Sequence, residues 1–201
     1  DDRFEDIHAG TETLLIATIG EEAGGRLHIG RSRNDEVATC LRLRVREDIV
    51  RQLSILIRLR ETLLTLAEEH IESVMPGFTH LQHAQPTTLA HHFLAHEAAF
   101  GRDFQRLAGA LSRVDQCPLG AAAFASTSYP IQREFVAELL GFEGVLENTM
   151  DAVSSRDFAL ELLSSLAVMM THGSRLCEEL VVWSSGFARF IELDDAFCST
   201  S

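Results

Sequence analysis

An all-α fold built from long helices is what this sequence predicts, on three observations. Residues 34–75 contain neither Pro nor Gly. Apolar side chains recur through that stretch, and through two later ones, at spacings of three and four, the period of one helix face. No segment shows the apolar–polar alternation of a half-buried strand, and no β-hairpin turn signal is visible.

The first helix is expected from Asn34 to Met75. Its stripe is Leu41, Val45, Ile49, Leu53, Leu56, Leu59, Leu63 and Leu66, with Arg and Glu on the other faces. Asn34 or Asp35 can cap its start, and Pro76-Gly77 stops it. A second helix follows Pro86-Thr87-Thr88 and reaches about Gln116, with Leu89, Phe93, Glu97, Phe100, Phe104, Leu107, Leu111 and Val114 on one face. Pro118-Leu119-Gly120 breaks the pattern. A short helix is expected from Pro130 to Leu140, since Pro suits a first turn. A third long helix runs from about Ala152 to Ser185 through Gly173, with Phe158, Leu162, Ser165, Met169, His172, Leu176, Leu180 and Trp183 in its stripe. Three helices of roughly 30 residues exceed the usual mean of about 11 to 12. Each would be about 45 Å long. Such helices bury their stripes in an elongated bundle, often one shared between subunits.

The 201 residues carry 17 basic and 30 acidic side chains, a formal charge of −13. All 17 basic residues are Arg, so no lysine Schiff base, P-loop lysine or lysine general base can come from this chain. The acidic balance argues against a nucleic-acid surface. A hydrophobic content of 46% rules out disorder as the main state. No apolar run approaches the roughly 20 residues that span a bilayer, and no signal peptide is visible. Cys40, Cys117, Cys177 and Cys198 form no CxxC pair and no disulfide framework, which points to a reducing cytoplasm. Asp1 in place of Met and the polar run Cys198-Ser199-Thr200-Ser201 suggest a piece of a longer protein.

Chemistry is expected at the junctions between helices. His28-Ile29-Gly30-Arg31-Ser32-Arg33-Asn34-Asp35 precedes the first long helix, whose N-terminus favours anions. Arg31 and Arg33 offer planar donors matched to carboxylates, and Ser32 and Asn34 offer neutral ones. The same residues could simply form a solvated capping loop. Pro76-Gly77-Phe78-Thr79-His80-Leu81-Gln82-His83-Ala84-Gln85-Pro86 packs Thr, His and Gln between two apolar helices. A His there can transfer protons, or the segment can be a polar turn that satisfies its own backbone. A third junction, Asp194 to Ser201, reads as a mobile loop. His92 and His96 stand at i, i+4 with Glu97 beside them. There is no HExxH, no third ligand is evident, and interhelical hydrogen bonding is the expected role, so no metal is assigned. Glu97 and His172 read as satisfied polar core residues, and Trp183 as core.

At these junctions the residues also resemble a known family. His28-x-Gly30-Arg31-Ser32-Arg33-Asn34-Asp35 is similar to the HTGRSRND motif of the argininosuccinate lyases, and Gly77 to Pro86 to their G-[YF]-THLQ-x-AQP motif. Glu5-Asp6-Ile7-His8 resembles their E-D-[IV]-H segment, and Met150 to Phe158 their MDAVSDRDF segment. The four motifs come in order across essentially the whole chain. They separate this family from the fumarases, aspartases and adenylosuccinate lyases of the same superfamily. The family's third signature is a loop, GSSxMPxKxN. Asp195 to Ser201 is similar to the residues leading into it, with Thr200 at the usual Gly and Ser201 at the first Ser. Other departures are Ile29 for Thr, Ser155 for Asp, Gln132 for Asp, and Ala9-Gly10-Thr11 for T-A-N.

The resemblance implies the long-helix bundle of the fumarase/aspartase superfamily. Residues 1–33 would hold the end of an N-terminal helical domain and the first signature loop. Residues 34–201 would hold a central bundle that stops at the third loop. It implies β-elimination of argininosuccinate to arginine and fumarate without metal or organic cofactor. By resemblance, Ser32, Arg33, Asn34 and Thr79 hold the carboxylates that leave as fumarate. His80 and Ser201 are the two proton-transfer groups, with the division into acid and base left open, although superfamily mechanisms favour the loop serine as base. His8 and Arg156 are expected at the substrate pocket or behind it. The family forms homotetramers with five bundle helices per subunit, and each site combines three signature regions from three subunits. Two alternatives stay open. One is an inactive structural relative of the crystallin kind, and the other is a different fumarate-releasing lyase of the superfamily. An anion-binding helical scaffold, resting on the Arg-rich junction alone, is a weaker reading.

Overall fold

A computed structural model describes residues 4–198. The helices are α1 (Ile7–Ile19), α2 (Glu21–Gly24), α3 (Arg33–Glu69), α4 (Leu89–Val114), α5 (Arg133–Leu139), α6 (Thr149–Ser154) and α7 (Asp157–Ser184). Four strands, β1 (Val74–Thr79), β2 (Gln82–Thr88), β3 (Gln116–Cys117) and β4 (Gly144–Val145), and a 3-10 turn at Asp195–Phe197 complete the elements. The chain divides into two compact units. One holds the residues up to Val50 with Gly109–Leu160, and the other holds Arg51–Ala108 with the residues from Glu161 on.

In the first unit the buried face of α3 reads Asp35, Ala38, Arg42, Val45 and Ile49, a seven-residue pattern of three and four. A cluster of Cys117, Leu119, Ala137 and Phe142 is covered by Leu43, Val136, Leu140 and Val145. Parallel pairing of β3 with β4 brings Gln116 beside Gly144 and Cys117 beside Val145. Arg46 closes the C-terminal end of α5. It donates to the carbonyls of Leu140 (2.9 Å) and Gly141 (2.6 Å) and pairs with Asp115 (2.8 Å). Orphan helix carbonyls are thereby satisfied by a cation, as the helix dipole favours.

Arg42 does the same for α4. It is buried, donates to the carbonyls of Arg113 (2.8 Å) and Val114 (3.2 Å), and lies 4.1 Å over the Phe158 ring. Burial draws its pKa down, and Asp157 and Asp151 oppose that. Gly120, at φ +91°, is held where a Cβ would come within 2.6 Å of the Arg133 side chain.

The second unit buries Leu56, Leu63, Ala67, Phe93, Phe100, Leu107, Leu162 and Trp183. Its polar core residues are paired, as expected for Glu97 and His172. Glu97 binds Arg60 at 2.7 Å, and His172 Nδ1 lies 2.6 Å from the buried Asp103, which also takes Arg106 at 2.8 Å.

Four sequence expectations change. The first long helix ends at Glu69 rather than at Met75, because β1 takes up the chain from Val74. The polar segment after α3 is not a plain loop but an antiparallel hairpin, β1 with β2, in register Thr79↔Gln82. Its residues are mostly exposed on both faces, so there was no alternation to read. The third long helix is split in two. Ser155 is the C-cap of α6, and the Asp157 carboxylate accepts from the Phe158 N–H (2.8 Å) and the Ser155 hydroxyl (2.6 Å). Local capping bonds thus compete with helix continuation at a site without Pro or Gly. Finally, α5 begins at Arg133 rather than at Pro130.

Candidate active site

The first junction is built by a reciprocal cap. The Ser32 hydroxyl accepts from the Asn34 N–H (3.2 Å), and the Asp35 carboxylate accepts from the Ser32 N–H (2.9 Å). This is a capping box with Asp in the reciprocal position. The cap is therefore Ser32, one residue ahead of Arg33, not Asn34 or Asp35. Asp35 is fully buried and reaches further. Its other oxygen accepts from the N–H groups of Gly120 and Ala122, both at 2.9 Å. The Asn34 side-chain amide donates to the Ala123 carbonyl at 2.9 Å. Helix start and loop 120–123 thus form one hydrogen-bonded piece, in which a single carboxylate accepts three backbone N–H groups.

Arg33 pairs with Asp6 at 2.5 Å and lies 3.6 Å from Glu5. The Asp6 carboxyl is held below the usual carboxylate range by the Ala9 N–H first and Arg33 next. A guanidinium has five donors, so pairing with Asp6 orients Arg33 without exhausting it. His8 Nδ1 lies 3.6 Å from Glu36. Ser32, Arg33, Asn34 and His8 are therefore brought together. A cavity of about 570 Å³ in the same unit is lined by Arg31, Gly30 and Ile29 with Arg26, Arg133 and Gln132, and none of Ser32, Arg33, Asn34 and His8 lines it. Arg156 lies in the same unit between α6 and α7, and its guanidinium donates to the carbonyls of Val153 and Ser155.

Thr79 and His80 belong to the other unit. The hairpin turn is His80-Leu81, at φ 55° and 58°. Two consecutive left-handed residues suit a two-residue turn whose twist matches the strands, but Asn-Gly is the usual occupant. A bulge sits between Pro76 and Phe78, where a Cβ on Gly77 would come within 2.5 Å of the Gln85 carbonyl. Both Thr79 and His80 are exposed. Strained non-glycine backbone persists where a side chain is wanted, and here the side chains are an imidazole and a leucine. Ser201 lies outside the described residues.

Glu179 was not singled out by the sequence. It comes from α7 to meet His92 and His96 on α4, each Nε2 at 2.7 Å from one carboxylate oxygen. Its only sequence signal is a carboxylate in the last two turns of α7. Asp35 was weighed as a cap, but its role toward Gly120 and Ala122 had no signal, since those partners lie 85 and 87 residues away.

Comparison with known proteins bears on this arrangement. A family model described as lyase matches residues 3–199. Among curated relatives, the argininosuccinate lyase of Methanosphaerula palustris is 65% identical over all 201 residues, and that of Methanospirillum hungatei JF-1 is 62% identical over the same span. In each case the chain spans 41% of the relative's length. Among solved structures, EDDS lyase in complex with formate superposes with a TM-score of 0.90 at 36% identity, over 95% of this chain and 38% of that one. A fumarate lyase from Mesorhizobium sp. BNC1 gives 0.73 at 28% identity, over 83% and 40%. These matches run through both signature segments, the capped start of α3 and the strained hairpin, and the chain belongs to the lyase family.

Proposed function

We propose that the protein of which this chain is part is an argininosuccinate lyase, a carbon–nitrogen lyase that releases arginine and fumarate. The observation that carries the reading is the His80-Leu81 turn, where a strained backbone presents an imidazole beside Thr79. In the elimination, a base removes the proton from the carbon next to a carboxylate, and negative charge builds on that carboxylate. The C–N bond then breaks, and the departing guanidinium nitrogen takes a proton from an acid. His80 is one of these proton carriers and Ser201 the other. Ser32, Arg33, Asn34 and Thr79 are the donors for the developing charge, which backbone and side-chain N–H groups at a helix start suit. Arg156 and His8 support the pocket.

The curated relatives, argininosuccinate lyases at 65% and 62% identity, support the choice of substrate. A solved EDDS lyase variant with bound fumarate, 36% identical to this chain, supports fumarate as a ligand of this fold. No metal or organic cofactor has a part in this scheme. A homotetramer with sites completed by segments of different copies, in the cytoplasm, belongs to the same reading. Its physical support is twofold. α3 is 37 residues, about 55 Å of helix, which suits a scaffold whose signature segments are completed by other copies. α3 and α7 also leave Val50, Ile57, Leu160, Leu163, Met170 and Val181 exposed, apolar surface that neighbouring helices would bury.

The test is His80→Ala in the full-length protein, following absorbance of the unsaturated product. Turnover should fall by roughly 10²- to 10⁴-fold, the usual share of a proton-transfer group, while the oligomer elutes unchanged. Near-normal fumarate release would remove His80 from the mechanism. An unchanged profile with aspartate or adenylosuccinate, and none with argininosuccinate, would reassign the substrate.

A further inference from the structure

In the second unit, α4 and α7 place two imidazoles and a carboxylate around one point. His92 and His96 are one helical turn apart on α4, with ring centroids 5.0 Å apart. Their Nε2 atoms each lie 2.7 Å from the same oxygen of Glu179, and the three ligand atoms are all within 4.8 Å of one another. His96 is aligned to share a proton with that oxygen. His92 is not. Its Nε2 is buried and has no hydrogen-bond partner among the described residues, despite the short distance.

A buried ring nitrogen facing a carboxylate without a proton path is costly as it stands. A cation between the three groups would use that lone pair and the second imidazole, and would neutralise the carboxylate. We propose that His92, His96 and Glu179 form a site for a divalent cation of the zinc class, which ties α4 to α7. Two neutral imidazole nitrogens and one carboxylate oxygen are a usual donor set for Zn²⁺, with water in the fourth position. Bond lengths of about 2.0–2.2 Å set donor separations on the order of 3.3 Å, so the two nitrogen–oxygen contacts would open by about 0.6 Å while the two ring nitrogens settle to a similar separation. Burial draws the His92 pKa down, and the Glu179 carboxylate opposes that. Glu179 is part-exposed, which gives the ion a way in. Trp183 forms one wall, its ring 4.5 Å from that of His92.

Trp183 is the single tryptophan of these 201 residues and stands against the site, so its signal, taken as the difference from a Trp183→Phe control, reports on it. The experiment titrates full-length protein, stripped with a chelator, with Co²⁺ while following tryptophan fluorescence. Zn²⁺ is then added in competition. Quenching should saturate at one equivalent per chain with a dissociation constant of about 10 μM or tighter, and Zn²⁺ should reverse it. His92→Phe keeps an aromatic ring against Trp183, and Glu179→Gln keeps the shape without the charge. Both should weaken binding at least tenfold, and the neighbouring His91→Ala should not. Zn²⁺ should also raise the unfolding temperature of the wild type and not that of Glu179→Gln, which separates a metal clamp from a purely hydrogen-bonded triad. The proposal is overturned if no saturable quenching appears below about 1 mM. It is equally overturned if His92→Phe and Glu179→Gln, folded by circular dichroism, bind as the wild type does.

Discussion

Asp35→Asn is the substitution whose cost can be worked from the structure. One Asp35 oxygen accepts from the Ser32 N–H, and the other accepts from Gly120 and Ala122, all at 2.9 Å, at a position with no exposure. An asparagine can keep only one acceptor oxygen. Placed toward Gly120 and Ala122, it turns its amide N–H₂ onto the Ser32 N–H, donor against donor. The loss is one charge-assisted bond, plus weakening of two others as the charge disappears. With charged hydrogen bonds worth about 1.5–3 kcal/mol net, the cost is about 2–3 kcal/mol, and about 3–6 kcal/mol for Asp35→Ala, which orphans all three N–H groups. The assay is native-state hydrogen exchange on the full-length protein. At about 1.4 kcal/mol per factor of ten, the Ser32, Gly120 and Ala122 amides should exchange roughly 30- to 150-fold faster in Asp35→Asn. The KM for substrate should rise as Ser32 and Asn34 lose their fixed positions. Unchanged protection at Gly120 and Ala122 in the variant would refute the claim that this carboxylate holds the loop to the helix start.

Replacing His80-Leu81 by Asn-Gly should stabilise the hairpin by about 1–2 kcal/mol, read as a raised denaturant midpoint, while abolishing turnover. A drop in stability would show that the turn is not strained. Arg42→Met keeps the packing on Phe158 but leaves the Arg113 and Val114 carbonyls without their donor, a loss of about 2–4 kcal/mol measurable by thermal unfolding. Cys117 is buried, and that burial pushes its thiol pKa up. A raised pKa in the folded state means the proton is held more tightly there. This contribution to stability is full below the ordinary thiol pKa and lost as pH rises above it. Alkylation of Cys117 at pH 8 should accordingly be seen only on unfolding, by peptide mass mapping.

The helices were legible because burial repeats with the helical period. Val45, Ile49, Leu56 and Leu63 of the expected stripe on α3 are all buried, as are Phe93, Phe100, Leu107 and Val114 on α4. The hairpin was not legible, because its strands are wet on both faces and its turn uses His-Leu instead of Asn-Gly. The break before Asp157 was missed for a related reason, since it rests on serine and aspartate side-chain bonds that any polar helix surface could also carry. Of the candidate site, both signature segments could be read from residue types and motif order. Their supports could not: Asp6 behind Arg33 is 27 positions away, and Gly120 and Ala122 behind Asp35 are farther still.

By itself the sequence determined which residues face inward along each helix and where the chemistry-bearing segments lie, because periodicity and motif order are local properties of a chain. Only the tertiary structure decided which polar groups meet. Asp103 with His172, Arg42 with the end of α4, and Glu179 with His92 and His96 are joined across 69 to 87 residues. Such pairings depend on helix packing geometry. A buried charge or imidazole costs too much to be left alone, so packing selects its partner, but that requirement names no position in the sequence.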